Sequence, residues 1–166
     1  GKAQFGNITE ASKRGYTIID SKAKLAAVTQ GDKIWGNVID KDYPFDINLT
    51  ATLPTLAEMT QAAITALDGS SKGFFLMVEG SKIDGGGHSN NIVQAASDYI
   101  AFDAAFKAAV DYAKTRTDTI VIAAPDHDTG GFNLPNKDAV TGGNPNSADY
   151  AAAVTEVRNG TNSTTN

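Results

Sequence analysis

The sequence predicts an α/β fold with a largely parallel sheet and flanking helices. Apolar runs with the length of strands alternate along the chain with stretches whose apolar residues recur every three or four positions, as in amphipathic helices. The runs at 73–78 and 119–123 are continuously apolar, which is typical of strands covered on both faces. Strands and helices that alternate in this way favour a parallel sheet.

The first half of the chain contains one β-α-β unit followed by a helix. Residues 15–19 predict a strand, residues 21–28 a short helix with an apolar side, and residues 33–38 a second strand. Residues 54–67 have apolar side chains at helical spacing, and Gly69 is expected to end this helix.

The second half continues the alternation. The third predicted strand, at 73–78, leads through a polar loop to a long helix at 91–114. Tyr99 belongs to the apolar stripe of this helix, so we expect it to be covered. The fourth predicted strand follows at 119–123.

The chain length and composition indicate one α/β domain and a second region of different character. With 166 residues the chain can bury a sizeable core. We place the domain at residues 1–131. From residue 132 onward Asn, Gly, Thr, Ser and Pro dominate, so residues 132–166 are expected to be a loop-rich insertion or a truncated tail with one short helical patch at 148–157.

The charge balance excludes some classes of partner. The 14 Lys and Arg residues are outnumbered by 19 Asp and Glu, which gives a net charge of −5 and no basic surface for nucleic acid or anionic lipid. No apolar run is long enough for insertion into a membrane. Because the chain has no cysteine, a metal site in it would need histidine and carboxylate ligands.

The two histidines of the chain each lie beside carboxylates and shortly after an apolar run. His88 follows Asp84 by four residues, and His127 follows Asp126 directly. Glu79 and the second pair stand at the carboxyl ends of predicted parallel strands, where α/β proteins bind ligands, so we expect the two clusters to face one crevice. Imidazole nitrogen and carboxylate oxygen together suit zinc.

The residues around these pairs support a metal site in part and ordinary turns in part. The run Gly85-Gly86-Gly87 is expected to let the backbone turn sharply and bring its neighbours onto one ion. Asp128 and Thr129 are better explained as ordinary turn residues than as support for a metal site. Each pair alone would more often consist of ordinary polar residues on the surface, and it is the combination of two pairs at strand ends that favours a metallohydrolase.

Three stretches carry a resemblance to a known family. The segments GFFLMVEGSKIDGGGHSNN, AFDAAFKAA and TIVIAAPDHDTGG resemble the C-terminal half of alkaline phosphatases, most specifically over residues 73–131 and more loosely back to Glu10. The resemblance implies that the domain is part of an alkaline-phosphatase-like αβα sandwich. It also implies two zinc ions, a magnesium ion and cleavage of phosphate monoesters through a phosphoserine.

The resemblance assigns a role to each of the five metal-ligand candidates. Glu79 resembles the magnesium-binding glutamate of the family. Asp84 and His88 resemble ligands of the zinc that activates water. Asp126 and His127 resemble ligands of the zinc beside the nucleophile.

Other parts of the family's machinery have no counterpart in this sequence. The nucleophilic serine, the phosphate-binding arginine and a further zinc-binding histidine are not found, and Asp20-Ser21 is better explained as a helix cap than as the nucleophile. We therefore expect a C-terminal fragment of a metal-dependent phosphomonoesterase, with no catalytic residue of its own, two incomplete zinc sites and no activity alone.

Two alternative functions remain open from the sequence. The first is a superfamily relative acting on sulfate esters, phosphodiesters or phosphonates. The second is a non-catalytic metal-binding or interaction domain on the same scaffold. The resemblance further implies a phosphate monoester as the substrate of the complete enzyme and a periplasmic or extracellular location, and it allows a homodimer.

Overall fold

The computed structural model describes residues 8–130. The predictions for residues 132–166, including the helical patch, lie outside the described residues. In addition to a 3₁₀ turn at Asp46–Asn48, the described part contains the following helices and strands: α1 (Ile8–Lys13), β1 (Thr17–Ile19), α2 (Lys22–Ala26), β2 (Ile34–Gly36), α3 (Leu56–Leu67), α4 (Ser81–His88) and α5 (Ile92–Ala113).

The predicted β-α-β unit is confirmed. Strands β1 and β2 pair in parallel, with Thr17 opposite Ile34, and α2 connects them. Ile19 is only 2% exposed and forms a small core with Leu25 of α2 and Ala62 of α3. Apolar side chains from three elements therefore hold this unit together.

Side-chain caps begin three of the described helices, α2, α3 and α5. The Lys24 amide donates to Ser21 Oγ at 3.3 Å, which confirms Asp20-Ser21 as a capping sequence. Thr55 and Glu58 form a reciprocal capping box at the start of α3, two residues later than the predicted start at residue 54. Glu58 also forms an ion pair with Lys22 at 2.8 Å, so the cap ties α3 to α2.

Helix α5 has the predicted extent, but part of its predicted buried stripe is wrong. It packs against α3, α4 and the 3₁₀ turn and buries Val93 and Ala105. Tyr99 is exposed, because no described element covers that side of the helix. None of the described helices combines the length and the hydropathy needed to cross a membrane.

The predicted third and fourth strands are not formed within residues 8–130, where both segments lack regular secondary structure and sheet partners. No backbone hydrogen bond joins 74–78 or 119–123 to β1, to β2 or to each other. Their outward side chains are open to solvent, with Phe75 90% and Ile120 85% exposed. A strand needs a bonded neighbour, so the sheet of the described part has two strands, and the larger parallel sheet of a sandwich is not formed within it.

Candidate metal centre

Asp84 and His88 lie one turn apart on the same face of α4. A carboxylate oxygen, Asp84 Oδ2, is 3.5 Å from His88 Nε2, and both side chains are largely exposed. The expectation of a sharply turning loop here is wrong, because residues 81–88 are helical. It is the helical repeat that brings side chains four residues apart together.

The glycines between these two residues allow close packing rather than a turn. A Cβ atom on Gly86 would lie 2.6 Å from the backbone nitrogen of Ala95 in α5. One on Gly87 would lie 3.0 Å from the carbonyl oxygen of Thr129, and one on Gly85 would be 3.4 Å from the ring of Phe45. Helix α4 thus packs closely against Ala95, Thr129 and Phe45, and these contacts fix the position of its polar face.

Asp126 and His127 follow segment 119–123, which has no regular secondary structure. Asp126 Oδ2 is 3.3 Å from His127 Nε2, and both side chains are exposed. The other ring nitrogen, His127 Nδ1, is 3.1 Å from the carbonyl oxygen of Asp128. The imidazole is therefore held on one side by its own loop and faces a carboxylate on the other.

Thr129 connects the two pairs. Its hydroxyl donates to Asp84 Oδ1 at 2.5 Å and lies 3.1 Å from His127 Nδ1. Gly130 adopts a φ of +74°, and a Cβ there would lie 2.1 Å from the carbonyl oxygen of Gly87, so this loop fits closely against α4. Thr129 thus lies between Asp84 of the first pair and His127 of the second, and it contacts side chains beyond its own turn.

The geometry of each pair fits a zinc ion. Two ligands of a tetrahedral zinc at about 2.0–2.1 Å are about 3.3–3.4 Å apart, close to the 3.3 Å of Asp126 with His127 and the 3.5 Å of Asp84 with His88. Within residues 8–130, however, no three His, Asp or Glu side chains cluster closely enough to form a fuller site. Each pair supplies two ligands, so a closed site requires others.

Glu79 stands apart from both pairs in this structure. It is exposed and lies between segment 74–78 and Gly80, the N-cap residue of α4. No hydrogen bond or ion pair links it to Asp84 or His127 among the described residues. The magnesium assignment of Glu79 therefore stays a prediction.

A second set of residues, not anticipated from the sequence, supports α4 from behind. Asp98 of α5 accepts a hydrogen bond from the Asp46 amide at 3.1 Å, which anchors the 3₁₀ turn, and burial raises the pKa of this carboxyl. Phe45, just before that turn, lies against Gly85 and beneath Lys82 Nζ, which is 4.8 Å from the ring centroid. These contacts join residues 37 or more positions apart, so no local pattern could indicate them.

Comparisons with known proteins identify the family of the chain. The sequence profile of the alkaline phosphatase family matches residues 4–164. Alkaline phosphatase 3 of Bacillus subtilis is 40% identical over 139 residues, covering 81% of this chain and 30% of that protein. The Escherichia coli alkaline phosphatase is 31% identical, covering 71% of this chain and 30% of its own length.

A solved structure extends the likeness to the fold. The cold-active alkaline phosphatase of a psychrophilic Shewanella species superposes with a TM-score of 0.63 and 32% identity, covering 69% of this chain and 29% of that one. The chain thus spans about 30% of the length of the relatives it matches. Since the profile match covers nearly all of its 166 residues, the chain belongs to the alkaline phosphatase family.

Proposed function

We propose that this chain supplies metal ligands to a zinc- and magnesium-dependent phosphomonoesterase. Asp84 with His88 would hold one zinc ion, Asp126 with His127 a second, and Glu79 the magnesium ion. The observation that carries the proposal is that Thr129 contacts both pairs, so two donor sets with zinc-like spacing face the same region. Family membership supports phosphatase chemistry, while the individual ligand roles belong to the proposal.

The charges at this site explain why cations are needed for a phosphate substrate. The exposed carboxylates of Asp84 and Asp126 would repel a phosphate dianion, in a chain whose net charge is already −5. Zinc, when bound, supplies positive charge beside the phosphoryl oxygens and favours ionisation of water near neutral pH. The histidines and carboxylates of this chain hold and orient that charge.

The nucleophile and the phosphate-binding arginine are proposed to come from a segment that this chain does not contain. The relatives are more than three times as long as the region they share with it. With this function, a periplasmic or extracellular location and a homodimeric assembly are also expected. The complete protein is expected to prefer phosphate monoesters over aryl sulfates and phosphodiesters, and the opposite preference would favour another branch of the superfamily.

Zinc titration and an activity assay test the proposal on the chain itself. Calorimetry should show zinc binding of micromolar or weaker affinity, because each pair offers two ligands where a closed site has four. The double variant His88→Ala/His127→Ala should lose it. Asp103→Asn, which changes an exposed carboxylate on α5, is the matched control and should bind as the wild type does.

The same preparation should not hydrolyse p-nitrophenyl phosphate above a metal-only control. No zinc binding in the wild type would refute the proposed ligand roles. A zinc-dependent rate that disappears in His127→Ala would overturn the expectation that this chain is inactive alone.

A further inference from the structure

We infer that Thr129 is a positioning residue for both metal-ligand pairs, holding Asp84 and His127 so that their remaining donor atoms face the ions. The inference rests on the proposed function in one respect, namely that the pairs bind metal. It goes beyond it by assigning to one hydroxyl the coupling of the two sites. The hydrogen-bond directions around Thr129, the use of each ligand atom and the packing of its loop support it.

The directions of the hydrogen bonds follow from the groups involved. A carboxylate only accepts, so the single hydroxyl hydrogen of Thr129 goes to Asp84 Oδ1 at 2.5 Å. The Thr129 oxygen then offers only lone pairs to His127 Nδ1, 3.1 Å away. The Asp128 carbonyl, also 3.1 Å from Nδ1, accepts as well. Nδ1 therefore carries the hydrogen, and in the neutral imidazole the lone pair is on Nε2.

Each ligand consequently uses one atom for the link and keeps the other for a cation. Asp84 gives Oδ1 to Thr129, and its Oδ2 faces His88 Nε2 at 3.5 Å. His127 uses Nδ1 toward Thr129, and its Nε2 faces Asp126 Oδ2 at 3.3 Å. In the neutral imidazole the lone pair of His127 Nε2 then faces a carboxylate oxygen, an arrangement that a cation between them stabilises. Partners that orient metal ligands in this way commonly affect metal affinity by about 10–100-fold.

The loop that carries Thr129 is packed closely enough to hold its hydroxyl in place. Thr129 is half-buried, and its backbone carbonyl lies against Gly87 of α4. The next residue, Gly130, is in the left-handed region with a φ of +74° and fits against the carbonyl of Gly87. A β-branched side chain on such a backbone has few rotamers, so little entropy is lost when its hydroxyl bridges the pairs.

Nitrogen NMR of the metal-free protein tests the hydrogen-bond arrangement without any metal. The wild type should show His127 as the Nδ1–H tautomer. Thr129→Val, which removes the hydroxyl at constant shape, should raise the minor Nε2–H tautomer of His127 while the Asp128 carbonyl still favours Nδ1–H, and Thr129→Ser should restore the wild-type spectrum. Thr119→Val is the matched control, since Thr119 is also a half-buried threonine whose hydroxyl donates to an aspartate, at 3.2 Å. It should leave His127 unchanged.

Zinc titration of the same four proteins tests the coupling. Thr129→Val should bind zinc about 10-fold or more weakly than the wild type, whereas Thr129→Ser should stay within about threefold. Wild-type affinity in Thr129→Val, equal losses in Thr129→Val and Thr119→Val, or an Nε2–H tautomer in the wild type would each overturn the inference. If the wild type binds no zinc, the proposed function fails, while the tautomer measurement still decides whether Thr129 orients His127.

Discussion

Gly86→Ala should destabilise the protein although alanine is the better helix former. Its new Cβ would lie 2.6 Å from the Ala95 nitrogen and 2.7 Å from its Cα. Ordinary contacts are about 3.5–4.0 Å, so α4 and α5 would have to separate by about 1 Å. Overpacking against an element that cannot yield costs about 1–3 kcal/mol. The gain in helix propensity offsets at most about 1 kcal/mol of this.

Gly85→Ala provides the matched control for this prediction. It gains the same helix propensity one residue away, but its Cβ would be 3.4 Å from the movable ring of Phe45, an ordinary contact. Gly85→Ala should therefore be neutral or more stable by up to about 1 kcal/mol. The difference between the two variants isolates the steric cost, which we expect to be about 1–3 kcal/mol.

Urea unfolding at fixed pH measures this difference through the shift in midpoint at a constant slope. Zinc titration of both variants should also show weaker binding in Gly86→Ala, because displacement of α4 moves Asp84 relative to Thr129. Equal stability of the two variants would refute the close α4–α5 contact on which the site geometry depends.

Four further predictions concern Tyr43, the cap of α3 and the metal-ligand candidates. Burial raises the pKa of Tyr43 to about 12. The stabilisation from its neutral form is therefore complete below the unfolded pKa of about 10 and is lost as the pH rises through the folded value. Urea midpoints should fall between pH 10 and 12, and they should fall less in Tyr43→Phe. Thr55→Ala removes the side-chain acceptor of the α3 capping box and should cost about 1 kcal/mol in the same assay. In the complete parent protein, acid-trapped phosphoserine should be retained in Asp84→Ala but scarce in His127→Ala. Equal loss of phosphoserine in these two variants would contradict their separate roles. Glu79→Gln should lower the rate of hydrolysis in a magnesium-dependent way.

The parts of the fold that depend on local pattern could be predicted from the sequence. The β-α-β unit is correct because its strands, connecting helix and core residue Ile19 lie within about twenty positions of each other. The helix at 91–114 is correct because its periodicity is long, but periodicity alone does not say which side has a partner. Tyr99 shows this, since it shares the apolar stripe and is exposed.

The site illustrates where tertiary packing overrides local preference. Three consecutive glycines cost a helix about 1 kcal/mol each relative to alanine, so the sequence favoured a loop at residues 85–87. The structure forms a helix there because glycine alone permits the contacts with Ala95 and Thr129. The role of Thr129 could not be predicted, because its partner Asp84 is 45 positions away and meets it only through that packing.

Segments 74–78 and 119–123, which have no sheet partners among the described residues, affect how the molecule behaves in concentrated solution. Exposed Phe75 and Ile122 lie on segments whose backbone makes no sheet hydrogen bonds within the described residues, and apolar side chains on unpaired backbone favour pairing between chains. The apparent molar mass of this polypeptide from light scattering should therefore rise with protein concentration and fall with mild denaturant. Metal titrations are best made at low protein concentration. Self-association then does not cover Glu79, Asp126 and His127, the candidate ligands that follow these segments.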